Sequence, residues 1–319
     1  MWRYIVKRLI ALAIVIFCVA VIIFCILWFM PGDPAEIILG MNVPEADREA
    51  LRIKMGLKDP FLVQLGRYLR DAFLHFDFGT SYQYKVSVTQ GFAERLPRTL
   101  TLGLISILIQ TLLGIPLGVS AAIHRNSIQD QGLLVFAMVF ISVPQFWFAL
   151  MMVVLFSVNL GWLPPFGIGS IEYWIMPILA NSISGIAMNA RQTRSAVLET
   201  IRADFVTTAR AKGLPEGKVI YKHMLPNALI PVINGLGMQL GMCVGGTVVI
   251  ENVFSFPGIG NYMLTGISGM DYPVVRGCVL ILAAVSAVMT LVVDLVYGFL
   301  DPRIKAQYVN YAAKKGGHR

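Results

Sequence analysis

The chain has 319 residues, of which 56% are hydrophobic and 14% charged, with a net charge of +8. So apolar a composition excludes a soluble globular domain and implies an all-α integral membrane protein. The excess charge sits at Arg3, Lys7 and Arg8, in one central stretch, and at Arg303, Lys305, Lys314, Lys315 and Arg319. Confined to termini and a loop, it is the charge of membrane topology and not a nucleic-acid face.

Leu9 to Met30 carries no charge and is long enough to cross the ~30 Å hydrocarbon core. Residues 1–30 are therefore expected to be a cytoplasmic N-terminus and a first span. The apolar run is too long for a signal-peptide h-region, and no small-residue cleavage site comes after it. Residues 31–98 are the only long hydrophilic segment, with as many acidic as basic residues. A long loop crosses regardless of its charge, so it is placed outside. Pro44–Met55 reads as a helix stopped by Gly56, and Asp59-Pro60 opens another with Phe61, Leu65, Leu69 and Phe73 as its apolar stripe. Neither can build a core alone, so both must lean on the membrane part or on a partner.

Further spans are expected at 99–123, 133–158, 173–190, 228–250 and 274–300, six in all with the first. The third would kink, if anywhere, at Pro144. The fourth holds Asn181, Ser182, Ser184 and Asn189, a polar set that lipid would not tolerate without partners. Gly237, Gly241 and Gly245 fall on one face of the fifth, where another backbone could approach. An even number of spans returns the basic tail, 301–319, to the cytoplasm. Cys18, Cys25, Cys243 and Cys278 lie in apolar runs without metal or disulfide spacing and read as small buried hydrophobes.

The stretch from Ala203 to Pro231 is the longest basic interruption of the apolar second half, and Arg202, Arg210, Lys212, Lys218 and Lys222 place it inside. Asp204 reads as the N-cap of a short helix, and Gly213 ends it, since glycine takes the left-handed C′ position without strain. Pro215 then fits the first turn of a second helix running to Leu225-Pro226. Two short helices joined at a glycine form an elbow lying against the membrane, better suited to docking than to catalysis.

The spacing Ala209-x3-Gly213-x9-His223-x-Leu225-Pro226 resembles the cytoplasmic "EAA" loop of permease subunits of ABC importers. The chain keeps Ala209, Gly213, Leu225 and Pro226, and departs from the pattern at Thr207, Thr208 and His223. These departures, with Thr208-Ala209-Arg210-Ala211-Lys212-Gly213-Leu214, look like the peptide and nickel branch of that family. So do Pro31-Gly32-Asp33-Pro34, Asp77-Phe78-Gly79-Thr80-Ser81, Glu251 to Gly260, Asp271-Tyr272-Pro273 and Asp294 to Arg303, so the resemblance covers nearly the whole chain. It implies a type I ABC importer permease fold in the cell inner membrane, with both termini cytoplasmic. It further implies that residues 203–227 are an ATPase-coupling loop, with Thr207, Thr208, Ala209, Gly213, Leu214, His223, Leu225 and Pro226 as its site residues. The implied partners are two cytoplasmic ABC ATPases, a related second permease subunit, an extracytoplasmic solute-binding protein and membrane lipid. A di- or oligopeptide is the expected solute, with nickel and glutathione-like compounds as alternatives.

No P-loop, H-E-x-x-H, paired-cysteine or G-x-S-x-G pattern occurs, so neither nucleotide hydrolysis nor another enzymatic activity is expected, and no cofactor or metal. The uncharged polar residues Gln110, Gln145, Asn181, Asn189, Asn234 and Gln239 are candidates for lining a pathway, with interhelical hydrogen bonding as the competing role. A rival of another class is an ion-coupled secondary carrier, which needs buried carboxylates near the membrane midplane. Asp294 is the one candidate in the spans.

Overall fold

The computed structural model describes residues 2–40 and 42–300; the basic tail at 301–319 lies outside the described residues. The chain opens with α1 (Trp2–Phe29), α2 (Pro34–Leu39), α3 (Glu45–Lys54), α4 (Phe61–Leu74) and α5 (Val88–Ile123). Next come α6 (Ile128–Ser142), α7 (Gln145–Met152), which continues as a π-helix (Val153–Asn159), and α8 (Glu172–Thr200). The second half holds α9 (Asp204–Ala211), α10 (Glu216–Lys218) with a π-helical stretch (Val219–Met224), and α11 (Leu225–Gly246). The last three are α12 (Val248–Val253), α13 (Ile259–Ser268) and α14 (Tyr272–Leu300). Among the described residues the only strand-like pairing is one bridge between Thr80 and Ser87. Contacts divide the chain into two units, one of Leu100–Phe256 and one that joins the residues up to Thr99 with those from Pro257 onward.

In the unit formed by the two ends of the chain, α1 and α14 pack together and α4 lies on α1. The α4 stripe meets Ala20 and Phe24 of α1, and the Phe24 and Tyr68 rings stack at 5.5 Å. Asp33 caps α2, its Oδ1 accepting from the Ala35 N–H at 3.0 Å, and Pro34 supplies the fixed φ of the first turn. Gly56 ends α3 at φ +66. A hydroxyl–carboxylate bond of 2.5 Å from Ser81 Oγ to Asp271 ties the 77–87 loop to the start of α14.

In the central unit, Gly114 and Gly118 of α5 let α8 approach. A Cβ on Gly114 would stand 2.7 Å from the Asn189 Cβ and 3.0 Å from the Ile186 carbonyl oxygen. A close helix contact is thus made on the second span. On the fifth, Gly237 is buried, Gly241 half-buried and Gly245 faces open space.

Among the described residues four helical stretches are long and apolar enough to cross a bilayer: Ile5–Phe29, Val88–Ile123, Glu216–Val253 and Tyr272–Leu295. The expected third span is not one rod, because Ile128–Ser142 and Gln145–Asn159 meet at a bend of 100°. Val143, forced out of the α region by the proline after it, is extended at φ −72, ψ 126 and carries the break. The second span begins at Val88 instead of Thr99. Arg95 is accommodated there by lying 4.3 Å over the Tyr262 ring. The helix of the expected fourth span, α8, continues past Ala190 to Thr200. Its Arg194 is neutralised by the buried Asp130, whose carboxylate also accepts from the Asn126 N–H, while the Ser127 hydroxyl caps α6 by accepting from the Asp130 backbone N–H.

Candidate functional site

The elbow begins at Ala203, not Asp204. Ala203 is the extended N-cap (φ −70, ψ 145), and Asp204 is the first helical residue, its carboxylate favourable at the positive end of the helix. The Lys212 N–H bonds to the Thr208 carbonyl at 3.1 Å and the Gly213 N–H to the Arg210 carbonyl at 2.9 Å, closing α9. Gly213 has φ +74, and a Cβ there would meet nothing within 4 Å. Glycine is therefore favoured here by conformation, not by crowding.

Pro215 also sits one residue earlier than expected, as an extended cap (φ −62, ψ 142) before Glu216. Beyond it the chain does not form a second short helix. Residues 216–246 wind without interruption from α10 through the π-helical Val219–Met224 into α11. The cause lies in Pro226, which has no N–H to give to an α-type bond, so the preceding turn widens. The Asn227 side chain donates to the His223 carbonyl at 2.9 Å, satisfying one acceptor there.

One face of the elbow is core. Val206, Val219 and Met224 are fully buried and Ala209 is 6% exposed, packed with Val197, Val119 and Ala122. Leu214 and Leu225 border this cluster, and His223 is half-buried. Ala209 thus faces its own chain. The opposite face carries Thr207, Thr208, Lys212 and Gly213, all exposed, and an Arg210–Glu216 ion pair at 2.5 Å. Amid these polar groups stand two large apolar side chains, Phe205 at 45% and Tyr221 at 67% exposure. Helical spacing sets Phe205 on one face with Ile201 and Ala209, yet Phe205 is exposed and Ala209 buried, so spacing alone does not say which side is covered.

A cavity of about 460 Å³ lies in the same unit, lined by residues of α5, α7, α8 and α11. Gln110, Gln145, Asn181 and Gln239 line it, and amide hydrogen bonds link them to one another or to neighbours. Gln145 Nε2 donates to Asn181 Oδ1 at 2.9 Å, Gln110 Nε2 to the Asn181 carbonyl at 3.0 Å, and Gln239 Nε2 to Asn189 Oδ1 at 2.7 Å. Asn189 stands behind the wall, 1% exposed. Asn234 is exposed elsewhere on α11 and does not line the cavity. Gln192, Met188, Met238 and Met242 also line it, and sequence pattern alone does not single them out. Gln192 Nε2 donates to the Pro231 carbonyl at 3.0 Å, which holds the amide against α11. Amides and thioethers dominate the wall, and no Asp, Glu, Lys or Arg among the described residues contributes to it.

Residues 114–306 match the family model described as "Binding-protein-dependent transport system inner membrane component", and residues 1–103 match that of its N-terminal region. A protein of Brucella abortus (strain 2308), named for a peptide transport system permease, is 38% identical over 313 residues, covering 96% of this chain and 99% of the relative. The glutathione transport system permease protein GsiC of Salmonella paratyphi A is 37% identical over 308 residues, covering 96% of this chain and 99% of its own. Among solved structures, an amino acid ABC transporter crystallised with histidines matches with a TM-score of 0.50 at 18% identity, over 67% of this chain and 94% of that one.

Proposed function

From the premise that this chain belongs to the family of binding-protein-dependent transport system inner membrane components, we propose that it carries peptides along the cavity walled by Gln110, Gln145, Asn181, Gln192 and Gln239. Membership makes it a non-catalytic, multi-pass inner-membrane permease subunit of an ABC importer, with ATP hydrolysis done by separate subunits and solute brought by a binding protein. The secondary-carrier alternative falls with that membership.

The cavity lining is the observation that carries the solute reading. Uncharged amides offer a donor and an acceptor each, the complement of a peptide backbone. Methionines are flexible and polarisable, so Met188, Met238 and Met242 can adjust to side chains of different shape. A bare divalent cation such as nickel would be better served by imidazole or carboxylate ligands than by this wall.

The elbow is proposed as the site where an ATPase grips, through Phe205 and Tyr221 with the exposed threonines around them. It and both termini would be cytoplasmic, and residues 31–98 would face outside. Nucleotide-driven closure of two ATPases would move two elbows together, biasing a pair of related, non-identical permease subunits between inward- and outward-open states. Uptake into proteoliposomes containing the co-expressed importer tests the solute. Di- and tripeptides, glutathione among them, should stimulate ATP hydrolysis, and nickel should not. Stimulation by nickel alone would overturn the peptide reading.

A further inference from the structure

In the unit formed by the chain ends, a cavity of about 450 Å³ opens where the last turns of α1 meet the first turns of α14. Its walls include Phe24, Leu27 and Trp28 of α1, Tyr272 and Arg276 of α14, and Arg52 and Lys58 from the segment between. The cations differ in their state. Arg52 is neutralised by Asp33, through Nε at 2.8 Å and Nη2 at 2.5 Å, and Lys58 is bonded to Glu49. Arg276 makes no ion pair or hydrogen bond among the described residues, and its Nε is buried without a partner. Instead the guanidinium stands 5.0 Å from the centroid of Tyr68 and 5.8 Å from that of Phe24. The Tyr272 hydroxyl, on the same cavity wall, is also buried and unpartnered.

Asp33 on this wall is taken up by Arg52, and Asp71 and Asp77, which line an adjoining cavity with Arg276, do not pair with it. An arginine in a span, half-buried and with no carboxylate in ion-pair contact, is costly unless an anion completes it. Aromatic faces recover part of that cost but satisfy no N–H. The level of the cavity narrows the choice of anion. It lies at helix ends ringed by Trp28, Tyr82 and Tyr272, the residue types that mark the plane of lipid headgroups. Its inner wall of Phe24 and Leu27 would suit the glycerol and upper acyl carbons of a lipid. We propose that this cavity seats the phosphate of an anionic phospholipid, with Arg276 as its charge partner and the Tyr272 hydroxyl as a second donor. The site is separate from the peptide cavity and its test does not require transport.

The probe is phosphatidylglycerol, compared with phosphatidylcholine and with inorganic phosphate. The purified importer, delipidated and read by native mass spectrometry, should retain phosphatidylglycerol over phosphatidylcholine by about fivefold, the increment one basic residue gives an anionic headgroup. Arg276→Gln should abolish the preference and Arg276→Lys should keep part of it. Should Arg276→Gln fail to assemble, a photoreactive phosphatidylglycerol on the unaltered complex should cross-link to peptides containing Trp28 or Tyr82. Equal retention of the two lipids, a preference surviving in Arg276→Gln, or cross-links confined to other regions would overturn the proposal. So would competition by millimolar inorganic phosphate, which would make the cavity a site for free anions. Solute-stimulated ATP hydrolysis measured alongside reports on the importer reading independently.

Discussion

Arg8 and Asp294 form an ion pair, Nη2 to Oδ2 at 3.1 Å, that joins the start of α1 to the far end of α14. Asp294 is the one carboxylate in α14 and would be the natural coupling group of an ion-driven carrier. Its pairing with Arg8, whose side chain is 43% exposed, makes it a helix-end clasp instead. Asp294→Asn should leave ATP-dependent uptake within about twofold of the parent, because such partly exposed pairs are worth roughly 1 kcal/mol or less. Uptake abolished with normal assembly would give Asp294 a direct part in transport.

The glycines give a contrast inside one protein. Gly114→Val should push a side chain against the Asn189 Cβ and the Ile186 carbonyl oxygen, and overpacking of this kind costs about 1–3 kcal/mol. Gly245→Ala adds a methyl in open space and should leave the melting temperature in detergent unchanged or slightly raised. If the two variants melt alike, α5 and α8 are not in the close contact described.

How much of the fold is legible in the residues depends on how local each cause is. Apolar runs announce spans, and a glycine in a polar turn announces the left-handed end of α9, because both depend on neighbouring residues alone. The extension of α8 through Arg191 and Arg194 is hidden. Those charges read as the start of a loop until Asp130, far back in the chain on α6, is seen to neutralise Arg194. The bend at Val143-Pro144 can be located from the proline, but its size of 100° is set by packing on both sides. Likewise the amide spacing suggests a polar pathway, yet separating Gln192, on the cavity wall, from Asn234, off it, needs the rotation of each helix about its axis.

The short helices before α4 depend on charge. Arg52 binds Asp33 and, through Nη1, Glu45 at 2.6 Å. Burial alone would raise the Asp33 carboxyl, but the Arg52 hydrogen bonds and the Ala35 N–H outweigh it and hold it below the ordinary carboxylate range. Arg52 lowers Glu45 in the same way. A depressed folded-state value stabilises above the unfolded one, near pH 4, and that stability is lost as pH falls through the depressed value. Amide-exchange protection of residues 34–54, corrected for intrinsic rates, should therefore hold at neutral pH and collapse below about pH 4. Arg52→Gln should show the collapsed pattern at neutral pH. Protection indifferent to acid would mean that packing, not this network, holds the segment.

The elbow separates folding from docking more sharply. Ala209 is 6% exposed beside Val206, Val219 and Met224, so Ala209→Glu would bury an unpaired carboxylate in the chain's own core. That variant should fail to accumulate in the membrane, and its failure says nothing about a partner. Gly213→Val forces a β-branched residue to φ +74, roughly 1–2 kcal/mol or more of strain, whereas Gly213→Asn should be tolerated because asparagine enters the left-handed region readily. The partner is probed by Phe205→Ala and Tyr221→Ala, which remove exposed apolar surface without touching the core. Both should insert and melt like the parent, yet lose the ATPase on pull-down from detergent extract and lose solute-stimulated ATP hydrolysis. Lys212→Gln, an exposed charge at the same turn, should retain both. If Phe205→Ala and Tyr221→Ala together still capture the ATPase and transport at the parent rate, the gripping surface lies elsewhere on the chain.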